Sequence, residues 1–404
     1  MSRPGEKVRV YRDARELILE HSGVLGAETV TLERARGRVT AEACAARFDL
    51  PGADTCAIDG FTFAVDGVAH YPATLRIVGE SRAGVPFDGT VGPGEAVATM
   101  TGAVVPEGAD TAVRIEDVTV EGDRVTISKA PRRGELINPA GSELHRGEAV
   151  LEAGIVLDAR RVALLANLGH YALRVHRRPR IGILVTGNEV LEPWESPERP
   201  GVRNSNYTIL REMLSELADV HYYGIVEDDP ERMIPRFAEA LEASDILLSS
   251  GGASKGAYDF TRDIAEALGL EVHITHTDIR PGRPLIFATR REKLFFGLPG
   301  YPAALLANAR LFVLPAVRRL AGMREPEAPR IEALVEEPLR AKKGRVDLVR
   351  VDLVYREGSV YVRSAGSQQT SNFRTMAECD ALAMIDATRG TAETGEIVPV
   401  IVLD

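Results

Sequence analysis

The stretch DILLSSGGASKGAYDF (245–260) decides the fold of this chain. DILLSS is a short apolar run that predicts a buried strand, and a helix is expected from about Phe260. The glycines and serines between them let backbone N–H groups approach an anion, and the helix N-terminus favours negative charge. Neither GxxxxGK[ST] nor GxGxxG is present, so the loop is not that of a P-loop or dinucleotide-binding protein.

The same pattern continues on both sides of this stretch. IGILVT (181–186), HYYGIV and EKLFFGL predict strands, whereas SNYTILREMLSELA and the residues from Pro302 to about Leu320 predict helices. This alternation predicts an open, mostly parallel sheet with helices on both faces. Ligands bind such sheets at the carboxyl ends of the strands, so the loops that follow them form the candidate site.

Changes in segment length and composition along the sequence predict a multidomain α/β plus β chain. Short alternating segments broken by Gly and Pro indicate a β-rich insertion, and REPEAPR (324–330) reads as a linker. We expect a helical and extended region at residues 1–45 and 141–179, and an inserted β-rich domain at residues 46–140. A central open α/β domain is expected at residues 180–323, and a C-terminal β-barrel-like domain at residues 324–404.

Composition excludes several classes of function. The chain has 404 residues, with 49 Lys and Arg against 59 Asp and Glu, a formal charge of −10 that disfavours nonspecific nucleic-acid binding. The N-terminus lacks the apolar core of a signal peptide, and no apolar run reaches the ~18 residues of a membrane span. Three scattered cysteines favour neither disulfides nor a zinc site. We expect a cytoplasmic protein without nucleic-acid or membrane partners.

Three loops after predicted strands carry candidate residues. TGNEV (186–190) supplies Glu189, and GLPGYP (297–302) supplies a proline- and glycine-rich turn. The third is the Gly- and Ser-rich loop, with Asp259 beyond it. Each also has an ordinary explanation, because Asn and Gly are common in turns and Asp is favoured as a helix N-cap.

Basic residues and carboxylates together indicate a phosphate site. IRPGRP (279–284) places Arg280 and Arg283 around a Pro-Gly turn, which is either a solvated loop or a pair of cations for phosphate. Glu189 and Asp259 are hard oxygen donors of the kind Mg²⁺ shares with phosphates. A Mg²⁺-dependent phosphate or phosphoanhydride site would need this combination.

GADTCAIDGFTF (52–63) raises a separate question about Asp59. The dipeptide Asp-Gly is common in tight turns, so a structural role in a turn is enough to explain Asp59 and Gly60. The residues by themselves leave open whether this carboxylate takes part in chemistry.

Taken together, these motifs resemble the molybdopterin molybdenumtransferase (molybdenum insertase) family, which includes the C-terminal domain of gephyrin. The resemblance spans essentially the whole chain, because the following stretches occur in the family's order: LPGADTCAIDGFTFAV, VGESRAG, EAVATMTGAVVPEGADTAVRIED, ILVTGNEV, VRNSN, SSGGASKGAYDF, RPGRP and GLPGYP.

The resemblance implies both the reaction and the partners. Family members take adenylylated molybdopterin and molybdate, hydrolyse the phosphoanhydride with Mg²⁺, and release molybdenum cofactor and AMP. They are homodimers whose site lies between subunits, so the partner chain would supply the Asp59 carboxylate. A transient contact with molybdopterin adenylyltransferase is also implied, and the central domain would be the molybdopterin-binding one.

The resemblance also assigns residues in this sequence. The family's catalytic positions fall on Asp59, Thr101, Glu189 and Asp259, with Glu189 and Asp259 as metal ligands. The remaining assignments are to binding of substrate and phosphate: Gly251, Gly252, Ser254, Lys255, Arg280, Arg283, Gly297, Pro299, Gly300, Tyr301 and Pro302.

Some positions depart from the family pattern. Cys56, Tyr301 and Ala304 replace a serine, an amide and a hydroxyl, while Asn138 and Glu143 stand where Arg and Asp are usual. Both lysines of the family's KPGKP motif are arginines here. These changes fall mainly on the oxoanion part of the implied site, so a tungstate-handling paralogue and a catalytically weak molybdopterin carrier remain alternatives.

Overall fold

The computed structural model describes residues 7–196, 201–251 and 257–403. Its helices, in chain order, are α1 (Tyr11–His21), α2 (Ala159–Asn167), α3 (Ser205–Leu214), α4 (Pro230–Ala243), α5 (Ala257–Ala267), α6 (Pro302–Asn308), α7 (Leu314–Leu320) and α8 (Phe373–Glu378).

The strands fall into an N-terminal and a C-terminal series. The first series is β1 (Val8–Arg9), β2 (Ala27–Thr31), β3 (Cys44–Ala45), β4 (Thr55–Cys56), β5 (Gly60–Phe63), β6 (Ala73–Ser81), β7 (Glu95–Thr99), β8 (Thr111–Arg114), β9 (Val118–Glu121), β10 (Arg124–Ile127), β11 (Ile137–Asn138) and β12 (Ala149–Leu151). The second is β13 (Ala172–His176), β14 (Arg180–Thr186), β15 (Val190–Leu191), β16 (Val202–Arg203), β17 (Asp219–Val226), β18 (Ile246–Gly251), β19 (Glu271–Thr277), β20 (Ile279–Arg280), β21 (Pro284–Arg290), β22 (Lys293–Leu298), β23 (Ile331–Val335), β24 (Val346–Arg356), β25 (Ser359–Ser364), β26 (Ala381–Ile385) and β27 (Ile397–Val402).

The chain divides into two compact units. The first comprises residues 1–42, 153–158 and 172–404, and the second comprises residues 43–152 and 159–171. The first unit contains the α/β sheet and the C-terminal barrel, and the second contains the β-rich insertion.

The first unit is built on a seven-stranded sheet in the order β1-β19-β21-β22-β18-β14-β17. Its strands bury both faces: Ile246 and Leu248 enter one apolar cluster, whereas Leu247 enters the other. This period of two places helices on both sides, as the continuous apolar runs predict. The sheet is mostly parallel, as expected, but β21 runs antiparallel to both of its neighbours.

The C-terminal strands of the first unit close into a barrel. β24, β25, β23, β27 and β26 pair in that order, and β26 pairs back to β24. β20, which contains Arg280, adds to β24 in parallel register, so the RPGRP loop is attached directly to the barrel. The expected C-terminal β-barrel-like domain is therefore confirmed.

One long helix after β22 is interrupted only by a widened turn. α6 passes through a π-helical segment, Ala309–Val313, into α7. Pro315 lies in the first turn of α7 and has no N–H for an intrahelical bond, which accounts for the local widening.

The second unit is a six-stranded sheet in the order β8-β5-β7-β6-β10-β9. Its core is formed by side chains such as Phe61, Phe63 and Ile127. A short ribbon of β4 and β11 holds the segment that leads to Asp59. Among the described residues, no helix is long and apolar enough to cross a membrane.

Candidate active site

The loops that the sequence singled out meet at one edge of the sheet in the first unit. β14, β18 and β22 are parallel neighbours, and Thr186 pairs with Gly251 at the last step of the ladder. The carboxyl ends of these strands therefore lie side by side. The loops after all three strands line one cavity, and the loop after β22 also lines a second cavity together with the RPGRP loop.

The first cavity, called here the apolar cavity, has a volume of about 610 Å³. Val190, Val202, Pro302 and Phe373 give it a largely hydrophobic wall, and Glu189 and Asn206 supply polar groups. A concave, mostly apolar space with a few polar groups is typical of a site for an organic ligand.

Asn206 holds two of the strand ends in place. Its Nδ2 donates to Ser250 Oγ at 2.7 Å and to the Gly300 carbonyl at 2.8 Å. The carbonyl can only accept, so the amide orientation is fixed. Asn206 is 8% exposed, and its Oδ1 is buried without a hydrogen-bond partner among the described residues. Asn206 thus keeps one buried acceptor unsatisfied in the wall of the apolar cavity.

Gly251 is required by the close approach of β14. A Cβ at this position would overlap the carbonyl oxygen and Oγ1 of Thr186, and φ is +145°. Only glycine fits both constraints. The start of the Gly- and Ser-rich loop is thereby fixed against the apolar cavity.

Two carboxylates lie close together beside this cavity. Burial and the negative charge of Glu189 raise the pKa of Asp228 above its ordinary value. Asn188 Oδ1 accepts a bond from the Asp228 backbone N–H at 3.2 Å, which ties the two loops together. Like charges brought together in this way favour a cation that neutralises both.

The rim of the apolar cavity is stiffened by a hydrogen-bond chain. Asn204 Nδ2 donates to the Tyr222 hydroxyl at 2.7 Å, and that hydroxyl donates to Glu192 Oε1 at 2.6 Å. Burial and the bond to Glu192 raise the pKa of Tyr222, so the phenol keeps its proton. Asn204 Oδ1 also accepts from Tyr207 N and caps α3.

The second cavity, called here the arginine cavity, has a volume of about 550 Å³. Arg280, Arg283 and Arg345 line it, together with Pro299 and Ala304. Arg345 pairs with Asp347 at 3.0 Å, whereas Arg280 and Arg283 form no ion pair with any described residue. Asp278 also lines this cavity, and its Oδ1 accepts the Tyr11 backbone N–H at 2.6 Å. Two guanidinium groups without an ion pair in a cavity suit a doubly charged oxoanion.

Tyr301 lines both cavities. Its side chain is 48% exposed, and it stands at the N-cap of α6 without a side-chain capping bond. The residue therefore marks the point where the apolar cavity and the arginine cavity adjoin.

Asp59 lies in the second unit, in the bend of residues 57–59 that joins β4 to β5. Gly60 begins β5, and a Cβ there would overlap the Val113 carbonyl oxygen. Thr101 N and Oγ1 both donate to Asp59 Oδ1, at 2.7 and 3.0 Å, and lower the pKa of Asp59. Asp59 is thus a carboxylate at neutral pH, and its partner is a residue that the sequence had also singled out.

The remaining predicted residues are distributed as follows. Gly300 and Pro302 line the apolar cavity, and Gly297 lines neither cavity because it packs inside β22 against Thr261 and Ile286. Gly252, Ser254 and Lys255 lie outside the described residues, as does the side chain of Asp259, whose backbone belongs to α5.

The residues that depart from the family pattern occupy different surroundings. Cys56 is fully buried, and burial raises the pKa of its thiol. Asn138 pairs with Thr55 in the ribbon before Asp59, and Glu143 N donates to the Leu50 carbonyl. Ala304 lines the arginine cavity, one helical turn after Tyr301.

Three residues of the site escaped sequence reasoning. Asn206 stands in VRNSN, which entered the sequence analysis only as a stretch in the family's order. Asp228 precedes the Asp229-Pro230 helix start, and Arg345 belongs to the barrel. The available signal for Asp228 was its position directly after a strand, as for Glu189.

Comparison with protein families covers nearly the whole chain. Residues 9–169 match the MoeA N-terminal region (domain I and II), and residues 182–319 match a family described as "Probable molybdopterin binding domain". Residues 332–403 match the MoeA C-terminal region (domain IV).

Curated relatives and a solved structure agree with these matches. A molybdopterin molybdenumtransferase of Nostoc sp. is 32% identical over 93% of this chain and 88% of its own length. One of Haemophilus influenzae is 29% identical over 92% of this chain and 93% of its own length. The crystal structure of a molybdopterin biosynthesis MoeA protein from Pyrococcus horikoshii superposes with a TM-score of 0.82 at 27% identity, covering 98% of this chain and 99% of that one.

The fold and these similarities define a protein of molybdenum cofactor biosynthesis, whose α/β domain belongs to the family described as "Probable molybdopterin binding domain". More specifically, the chain belongs to the molybdopterin molybdenumtransferase family of enzymes.

Proposed function

We propose that this chain inserts molybdate into adenylylated molybdopterin in a Mg²⁺-dependent reaction that releases AMP. The observation that carries the proposal is the pair of adjoining cavities, one apolar with the Asn206 acceptor and the other lined by Arg280 and Arg283. The apolar cavity suits the organic part of the substrate, and the arginine cavity suits the oxoanion.

The hydrolytic step would break the phosphoanhydride. The water oxygen bonds to the phosphorus of the AMP half, and the bond from that phosphorus to the bridging oxygen breaks. AMP leaves with the water oxygen, molybdopterin keeps its own phosphate with the bridging oxygen, and the two protons of the water pass to these phosphates or to solvent. In the proposed homodimer the partner chain would supply the Asp59 carboxylate, which Thr101 orients and which accepts a hydrogen bond from the attacking water or from the oxoanion. Gly251, Gly252, Ser254 and Lys255 are proposed to bind phosphate through backbone donors and a positive charge.

The carboxylates near the apolar cavity fit Mg²⁺. Glu189 and Asp228 are hard oxygen donors whose mutual repulsion a divalent cation relieves, and Asp259 is proposed as a further ligand. Mg²⁺ uses few protein ligands and shares the rest with phosphates and water. Among the described residues, no group of three or more His, Cys, Asp or Glu side chains is placed to hold a metal ion. Bound by these carboxylates, Mg²⁺ would supply charge neutralisation at the diphosphate.

Further assignments follow from the same proposal. Pro299, Gly300 and Pro302 shape the walls beside Tyr301, and Gly297 packs the strand that precedes them. We also propose a homodimer and a transient contact with the adenylyltransferase that supplies the substrate, in the cytoplasm.

The experiment is AMP release from adenylylated molybdopterin with Mg²⁺, with and without molybdate. We expect molybdate-stimulated release by the wild type and by the exposed-turn control Asp123→Asn, and its collapse in Asp59→Asn. Tight substrate binding without release would favour the carrier alternative. Stimulation by tungstate but not by molybdate would favour the tungstate-handling alternative.

A further inference from the structure

Arg203 places a positive charge in the wall of the apolar cavity. It belongs to β16, and the charged side chains among the described residues that line this cavity are those of Glu189 and Arg203. Arg203 forms no ion pair with Glu189 or with any other described residue. The cavity that suits an organic ligand therefore also presents a guanidinium group that can pair with an anion.

Both the backbone and the side chain of Arg203 are held in place. The neighbouring Asn204 N donates to the Leu191 carbonyl at 2.8 Å, and Arg203 Nη1 donates to the Glu192 carbonyl at 3.0 Å. The Glu192 side chain is in turn anchored by the Tyr222 hydroxyl at 2.6 Å. A guanidinium has five N–H donors, and Arg203 uses only one of them among the described residues. The others can bind a ligand with little further loss of side-chain freedom.

The charge and shape of this group suit a phosphate. The substrate of the proposed function carries two phosphates, and Gly251, at the start of the proposed phosphate-binding loop, lines the same cavity as Arg203. A guanidinium fork pairs with two phosphate oxygens at once. In the hydrolysis, negative charge is spread over the nonbridging oxygens of the phosphoryl group that water attacks, so a fixed cation there favours the transition state.

We propose that Arg203 binds the phosphate of the AMP half of the substrate. Its guanidinium donates hydrogen bonds to the nonbridging oxygens of that phosphate, and the Gly- and Ser-rich loop remains the proposed site of the phosphate that molybdopterin keeps. This inference rests on the proposed function for the identity of the nucleotide.

The test compares AMP with adenosine, which lacks the phosphate, in equilibrium binding to the whole chain by calorimetry with Mg²⁺. Arg203→Gln removes the charge and the fork, so AMP affinity should fall about tenfold or more, as for hydrogen bonds to a charged group. Adenosine affinity should stay at the wild-type value. Arg203→Lys keeps the charge but loses the fork, and its AMP affinity should lie between the two.

The matched control is Arg211→Gln. Arg211 is an arginine of α3 with a half-exposed side chain, which pairs with Glu212 at 2.6 Å and lines neither cavity. Its AMP affinity should equal that of the wild type. A loss in this control as large as that in Arg203→Gln would contradict the assignment, because a general effect of surface charge would then explain both.

The outcomes separate this inference from the proposed function. Wild-type AMP affinity in Arg203→Gln, in a chain whose wild type releases AMP from adenylylated molybdopterin, would overturn the role of Arg203 and leave the proposed function standing. A selective loss of AMP affinity, in a chain whose wild type releases no AMP, would support Arg203 as a phosphate-binding residue while the proposed function fails. Equal losses for AMP and adenosine, or no AMP binding by the wild type, would each show the inference to be wrong.

Discussion

Asp59 and Thr101 form a two-point contact on a single carboxylate oxygen. The backbone N–H and the hydroxyl of Thr101 both donate to Asp59 Oδ1, at 2.7 and 3.0 Å. Both bonds stabilise the charged form, which places the pKa of Asp59 below its ordinary 3.8. The contact fixes the orientation of the carboxylate, and neither of the two bonds involves Oδ2.

Replacing Thr101 should therefore change the titration of Asp59. Thr101→Val keeps the backbone donor and removes the hydroxyl, so the pKa of Asp59 should rise part of the way toward its ordinary value. Carboxyl-carbon NMR titration measures it directly. Thr101→Ser keeps the hydroxyl and should leave the pKa unchanged. Equal pKa values in Thr101→Val and the wild type would show that the hydroxyl does not contribute.

We expect Asn206 to hold Ser250 and Gly300 in place in the wall of the apolar cavity. Asn206→Ala leaves the half-buried Gly300 carbonyl without its donor, which costs about 1 kcal/mol locally. Hydrogen exchange of the amides around Ser250 and Gly300 should speed up accordingly. Because the chain has two compact units, exchange is a better measure than global unfolding.

The control for Asn206 is an asparagine that only caps a helix. The Asn372 side chain accepts a hydrogen bond from Thr375 N at 2.9 Å. Asn372→Ala should therefore lower the stability of α8 by about 1 kcal/mol. If Asn206→Ala left exchange at Ser250 and Gly300 at the wild-type rate, the bridging role of Asn206 would be wrong.

The Glu189 and Asp228 pair predicts a loss of Mg²⁺ binding on substitution. Asp228→Asn removes one of the two neighbouring carboxylates, and the affinity for Mg²⁺ measured by calorimetry should fall by tenfold or more, on the order of one charge-assisted contact. Chelation with EDTA should abolish AMP release, and added Mg²⁺ should restore it. Asp123→Asn in the second unit is the matched control, and a similar loss of affinity there would argue against a site at Asp228.

The lowered pKa of Asp245 predicts how the stability of the first unit depends on pH. Burial raises the pKa of Asp245. The hydrogen bonds from Arg177, at 2.7 Å and 2.9 Å, and from the Arg180 N–H, at 2.8 Å, lower the pKa by more than burial raises it, so the net shift is downward from 3.8. A carboxyl with a depressed folded pKa stabilises the fold above its unfolded pKa. That contribution is lost as pH falls through the interval between the two values.

Hydrogen exchange in β14 and β18 should thus quicken below about pH 4, where the unfolded carboxyl begins to bind its proton. Asp245→Asn should remove this part of the acid sensitivity and lower stability at neutral pH. Asp219→Asn breaks the exposed pair with Arg178 and should change stability by less than about 1 kcal/mol. An identical acid response in Asp245→Asn and the wild type would contradict the assignment.

The sequence predicted the strands that are buried on both faces. DILLSS and IGILVT are continuous apolar runs, and they correspond to Ile246–Gly251 and Arg180–Thr186. The helix expected from Pro302 to about Leu320 is present, although the widened turn before Pro315 was not anticipated.

What the sequence could not provide is strand order and the contacts that depend on it. Asp228 meets Glu189 only because β17 lies beside β14, and no local pattern specifies that neighbourhood. RPLIFATR was expected to form a strand and does so as β21, but its antiparallel direction was not predicted, because its turn to β22 uses Arg291 at a φ of +55° and lacks the usual Gly or Asn signal. The Asn206 contact to Gly300 likewise joins residues far apart in the chain.

Gly251 gives the sharpest test of the strand-to-loop geometry. Gly251→Ala places a Cβ against the Thr186 carbonyl at a φ of +145°, so β14 and β18 must separate at their ends or the loop must change conformation. The strain should cost about 1–3 kcal/mol, seen as faster exchange at Thr186 and weaker phosphate binding. Gly23→Ala is the matched control, because its Cβ would meet nothing within 4 Å, and it should behave as wild type. Wild-type exchange and phosphate affinity in Gly251→Ala would mean that the loop does not depend on this close approach, and that the anion-binding geometry must be sought elsewhere in the first unit.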